Sequence, residues 1–150
     1  MIKKYAAFFP GQDVLYSLHK ISSMYHHYKI IQDTFNDVSD IIGYDLWKSI
    51  QNKSLFKLCV LHHQSAIIAV SIALYQLWIQ KSNSIMPSII LGHSLGEYTA
   101  LVCSKTITLY DAIKIINIRN KLMYEASYNL YDYNMPGYYM QVIIGLKKKL

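Results

Sequence analysis

At 150 residues the chain has room for a single core, and a composition that is 53% apolar and 16% charged excludes disordered and fibrous classes. The formal charge of +6 would suit nucleic acid, anionic lipid or an acidic protein, but the basic residues are scattered as on a solvated surface, so neither nucleic acid nor a membrane is the expected partner. Two cysteines, Cys59 and Cys103, lie far apart with no second close ligand pair, which excludes a zinc site or a disulfide framework and reads as reduced thiols in a cytoplasmic protein.

Lys3 and Lys4 precede an apolar patch, Tyr5 to Phe9, that Pro10-Gly11 cuts off too early for a signal peptide. The segment KYAAFF therefore reads as a short strand with a turn behind it. Tyr16 to Asn36 is polar and histidine-rich, with Leu18, Ile21, Met24 and Tyr28 at helical spacing. IIGYDLWKSI is a second helical piece interrupted at Gly43. Gln64 to Gln80 is apolar nearly all round, hence a buried helix, and its longest apolar run, Ala66 to Trp78, falls short of the roughly 20 residues of a membrane span. After the loop KSNSIMP come SIIL as a buried strand, a helix opened by SLGEYTALV, and a helix from Leu109 to about Ser127. A tyrosine-rich connection, YNLYDYNMPG, leads to a last strand, YYMQVIIGL. Strands alternating with helices imply an α/β fold with a parallel sheet and crossover connections.

Within Gly92-His93-Ser94-Leu95-Gly96 the serine has two readings. Ser94 with Glu97 three residues on is a capping box, each side chain satisfying a free backbone donor of the helix start. A cap, however, does not need glycine on both flanks, whereas a nucleophile elbow does, because a strand must turn sharply into a helix while neighbouring chains approach closely. An elbow would aim the Leu95 N–H and the helix N-terminus at a developing oxyanion, which suits acyl transfer.

Arg119 falls on the apolar column Leu109, Ala112, Ile115, Ile116, Met123 of the following helix, while Lys114, Asn117, Lys121 and Glu125 share another face. An inward arginine needs an anion or carbonyls, since an unpaired buried charge costs several kcal/mol. A guanidinium grips a carboxylate through two parallel hydrogen bonds. A structural ion pair or snorkelling to the surface would equally account for it.

AFFPGQ, HQSAIIAVSIALYQLW, GHSLGEYTALV and Arg119 within IRNKLMYEA, in this order and spacing, closely resemble the N-terminal half of bacterial malonyl-CoA:acyl carrier protein transacylase. The resemblance implies an α/β-hydrolase-like parallel sheet with a nucleophile elbow, and a ping-pong reaction in which malonyl-CoA acylates a serine and the phosphopantetheine thiol of acyl carrier protein collects the malonyl group for fatty acid biosynthesis. It makes Ser94 the nucleophile, Gln12 and Leu95 the oxyanion-hole donors through their backbone N–H groups, and Arg119 the clamp on the malonyl carboxylate. Gln64 matches a glutamine lining the same cleft, against its plain reading as a polar residue at a helix start. His93 matches a family histidine that is not the base. No resident cofactor or metal is implied, and the pairs His26-His27 and His62-His63 lack defensible metal spacing.

The departures are specific. Asp13 stands where the family has a further glycine after F-P-G-Q, Ser65 stands in place of a proline after the cleft glutamine, and the connection after Ala126 is longer than usual. By the same resemblance the chain is the N-terminal part of an acyltransferase domain. Residues 137–150 resemble the start of a ferredoxin-like subdomain, and the general-base histidine lies beyond residue 150. A truncated gene, with the lysine run near the end as a place for frame slippage, is one expectation, and a complementing C-terminal polypeptide is another. Half of a parallel sheet would expose apolar surface and an unpaired edge. The alternatives to a malonyl transferase are a non-catalytic remnant or acyl-carrier-protein-binding fragment, and a serine esterase, which shares the elbow but explains neither F-P-G-Q nor Arg119.

Overall fold

The computed structural model describes residues 4–12, 21–52 and 60–128. In chain order it contains β1 (Ala6–Phe9), α1 (Ser22–His27), α2 (Lys29–Ile42), α3 (Leu46–Gln51), α4 (Val60–Lys81), β2 (Ile89–Gly92), α5 (Leu95–Cys103) and α6 (Leu109–Tyr128). Cys59, Asp13 and the expected last strand with its connection lie outside the described residues.

β1 and β2 pair in parallel, Ala6 with Ile89 through Phe9 with Gly92, across a helical crossover, as an α/β fold requires. Ala7, Phe9, Ile90 and Gly92 face the helices, whereas Ala6, Phe8, Ile89 and Leu91 share the opposite face. The expectation of a fully buried SIIL strand is corrected here: Ile89 and Leu91 are 55% and 50% exposed. Parallel sheets are normally covered on both faces, and among the described residues only one face is. A groove of about 650 Å³ runs along β1 between Met24 and the outer part of α4, where Leu74 and Trp78 emerge, and includes neither Ser94 nor Arg119.

The single helix expected from Tyr16 divides, within the described residues, into α1 and α2. Tyr28 between them is extended, at φ −123° and ψ 110°, although no proline or glycine is present. Tertiary contacts hold the break: Tyr25 stacks on Trp47 with centroids 3.7 Å apart, and the Gln32 Nε2 donates to the Tyr25 carbonyl at 2.8 Å. α2 then buries Ile31, Thr34, Phe35 and Val38, an i, i+3, i+4, i+7 stripe. Gly43 ends it at φ 80°, with its N–H on the Ser39 carbonyl, and Asp45 starts α3 by accepting from the Lys48 N–H at 2.8 Å. The inner half of α4 is the central element, burying Gln64 through Ala69 against α2, α5 and α6. No described helix is long and apolar enough to cross a membrane.

Candidate active site

β2 delivers the chain to Gly92, and within four residues the strand becomes α5. Ser94 makes that reversal at φ 53° and ψ −113°, values of the first central position of a type II′ turn, which glycine normally occupies. The Gly96 N–H closes the turn on the His93 carbonyl at 2.9 Å, and the Glu97 N–H follows onto the Ser94 carbonyl at 3.1 Å. The Ser94 side chain makes no cap hydrogen bond, so the capping-box reading fails. Holding a serine at positive φ costs on the order of 1–3 kcal/mol, a strain that persists where surrounding structure over-determines it and that clusters at functional sites.

The two flanking glycines supply that over-determination. A Cβ on Gly92 would collide with the backbone of Gly96 and Glu97, and a Cβ on Gly96 with the carbonyls of Phe9 and Pro10. Strand, turn and helix therefore approach more closely than any side chain permits, and the start of α5 seats directly on the end of β1. The His93 N–H reaches the Phe9 carbonyl at 3.0 Å, fixing the same junction.

Gly11, read from sequence only as a turn residue, contributes to the site. A Cβ there would lie 3.6 Å from the Ser94 Cβ and 3.0 Å from the His93 Nδ1, so the Pro10–Gln12 backbone passes immediately beside the serine. The His93 ring thus lies towards this loop. Leu95 is fully buried at the first position of α5, and its N–H has no hydrogen-bond acceptor among the described residues, while the next two N–H groups are engaged in the turn.

A second group of side chains adjoins the loop. The Gln64 Oε1 accepts from the Arg119 Nη1 at 2.6 Å, and the Gln64 Nε2 donates to the Gln12 Oε1 at 3.1 Å. The Met123 sulfur lies 3.8 Å from the same Nε2. Gln64 is buried, Arg119 and Gln12 are half-buried, and among the described residues Arg119 forms no ion pair. Among the described residues, then, the partner of Arg119 is a neutral amide and not a carboxylate. The chain of contacts Ser94, Gly11-Gln12, Gln64, Arg119 brings all five expected site residues, Leu95 included, to one end of the β1–β2 pair.

The phase of α6 differs from the expected column. Ala112, Ile113, Ile116 and Asn120 are buried, whereas Ile115 and Met123 are 42% and 43% exposed. Arg119 consequently lies at the margin of the buried stripe, between core and solvent, rather than in its middle. Met123, which apolar spacing alone assigns to packing, is a site contact; its place four residues after Arg119, on the same helix face, is the signal for it.

The sequence profile of the acyl transferase domain matches residues 29–132. The chain belongs to that family. It is 44% identical over 124 residues to the malonyl CoA-acyl carrier protein transacylase of Buchnera aphidicola, covering 82% of this chain and 40% of that protein. It is 39% identical over 126 residues to the enzyme of the same name from Haemophilus influenzae, covering 83% of this chain and 40% of that protein. Among solved structures, a malonyl-transacylase in complex with its type II PKS acyl-carrier protein superposes with a TM-score of 0.74 at 37% identity, over 83% of this chain and 40% of that one. The chain thus spans about 40% of the length of the relatives it matches, and the resemblance to the N-terminal half of the transacylases is borne out.

Proposed function

We propose that this acyl transferase domain chain carries the nucleophile and the carboxylate clamp of a malonyl-CoA:acyl carrier protein transferase. The observation that carries the reading is Ser94, strained at φ 53° with its hydroxyl free of any cap bond, next to the loop whose Gln12 connects through Gln64 to Arg119. In this reading Ser94 Oγ attacks the malonyl thioester carbonyl, the carbon–sulfur bond breaks, and coenzyme A leaves as its thiol after taking up the proton. The Leu95 N–H, which no other bond uses among the described residues, and the Gln12 N–H stabilise the tetrahedral oxyanion. The Arg119 N–H groups that Gln64 does not occupy grip the free carboxylate. The phosphopantetheine thiol of acyl carrier protein then takes the malonyl group from the serine.

Residues 1–150 are on this reading the N-terminal part of an acyltransferase domain, and the proton acceptor for Ser94 comes from further polypeptide. The relatives named as malonyl CoA-acyl carrier protein transacylases support this, being about twice as long.

Mixing the chain, combined with the further polypeptide that supplies the proton acceptor, with malonyl-CoA and pantetheinylated acyl carrier protein, and following malonyl on the carrier by intact mass, tests the reading. Transfer above the protein-free rate, lost in Ser94→Ala and weakened in Arg119→Ala, is expected. Salt-sensitive carrier binding with no transfer would favour the non-catalytic fragment, and faster turnover of a neutral ester than of malonyl-CoA would favour an esterase.

A further inference from the structure

Gln64 was expected to line the acyl pocket as a substrate contact. Its hydrogen bonds give it a different place. A primary amide offers one acceptor oxygen and two N–H donors. Here the oxygen faces the Arg119 guanidinium at 2.6 Å, in the range of short charge-assisted bonds, and the nitrogen faces the Gln12 Oε1 at 3.1 Å. Turning the amide over would set donor against donor at Arg119 and acceptor against acceptor at Gln12, so a single orientation is allowed. The group is 2% exposed, in the buried half of α4, where solvent cannot substitute for either partner. Both ends of the amide are committed to protein.

We propose that Gln64 is a positioning residue that holds the Arg119 guanidinium in register with the Gln12 loop, so that the group gripping a substrate carboxylate is set against the backbone beside Ser94. This rests on the acyl-transfer reading of the site. Arg119 projects from the edge of the α6 stripe on a long side chain, and left alone it would sample many rotamers. Binding one Nη1 proton to a buried amide fixes the guanidinium plane while leaving Nε and Nη2 for a planar carboxylate. Because the same amide holds the side chain of Gln12, a change at either end is felt at the other.

The test uses the 150-residue chain, with titration of malonyl-CoA and acetyl-CoA and a 15N NMR readout of the Arg119 guanidinium. Wild type should bind malonyl-CoA more tightly than acetyl-CoA and show slowed guanidinium rotation. Gln64→Leu, which keeps the bulk and removes both bonds, should weaken malonyl-CoA by roughly three- to tenfold, the cost of fixing one long side chain, leave acetyl-CoA unchanged, and release the guanidinium rotation. Equal weakening of both ligands, or unchanged rotation, would overturn the proposal. Gln12→Ala, which removes only the distal bond, should partly release the rotation and serves if Gln64→Leu does not fold; rotation as slow as in wild type would overturn the coupling. If wild type does not prefer malonyl-CoA, the acyl-transfer reading fails, while the NMR comparison still decides whether Gln64 positions Arg119.

Discussion

Replacing Ser94 separates strain from capping, because alanine and glycine remove the same hydroxyl but only glycine relieves positive φ. If Ser94 were a side-chain cap, both substitutions would lose the cap bond, at about 1 kcal/mol for alanine and a few tenths for glycine. The side chain makes no such bond, and φ is 53°. Ser94→Ala should therefore leave stability unchanged within about 0.5 kcal/mol, the usual range for substitutions away from special features. Ser94→Gly removes on the order of 1–3 kcal/mol of backbone strain and loses about 0.5–1 kcal/mol to the freer unfolded chain. The net gain is on the order of 0.5–2 kcal/mol, which at about 2–4 °C per kcal/mol for a chain of this size raises Tm by a few degrees. Urea and thermal unfolding followed by circular dichroism measure both. A Ser94→Ala loss near 1 kcal/mol, or a Ser94→Gly variant no more stable than Ser94→Ala, would refute a strained elbow.

Gly96→Ala sets the Phe9 and Pro10 carbonyls against a new Cβ, and since backbone cannot move aside cheaply, overpacking of about 2–3 kcal/mol should outweigh about 1 kcal/mol of helix propensity; a more stable variant in urea would show that the close approach is not real. Burial pushes the Cys103 thiol up from 9.0 to about 12. The unfolded thiol ionises first, so the stability it contributes is fully present below pH 9.0 and is lost as pH rises through about 12. The urea midpoint should accordingly fall across that window less steeply in Cys103→Ala than in wild type. Asp45→Ala should cost about 1 kcal/mol through loss of the α3 cap, read by the same unfolding curves.

Local chemistry made the elbow legible from sequence. Gly92 and Gly96 are both demanded by backbone contact, and their spacing around Ser94 is visible without coordinates. The α/β alternation and the parallel pairing of the two strands were legible for the same reason, since each segment has a clear period. The phase of α6 was not. Isoleucines stand at 113, 115, 116 and 118, and only packing against α4 and α2 selects Ile113 and Ile116 as the inward pair. The break at Tyr28 carries no proline or glycine signal because the stack of Tyr25 on Trp47, distant in sequence, holds it. The exposure of Ile89 and Leu91 depends on what covers that face of the sheet, which four apolar letters cannot report. Arg119 was correctly singled out as needing a partner, yet the partner is an amide from another helix, a contact across 55 residues that periodicity does not encode.

Acylation of Ser94 itself is the most direct test. The chain, combined with the further polypeptide that supplies the proton acceptor, is incubated with malonyl-CoA and digested, and the peptide spanning Gly92 to Lys105 is weighed and fragmented. A malonyl increment on Ser94, absent in Ser94→Ala and reduced in Arg119→Ala, is the expected result. An unmodified Ser94, or an increment that persists in Ser94→Ala, would contradict the assignment of this strained serine as the nucleophile.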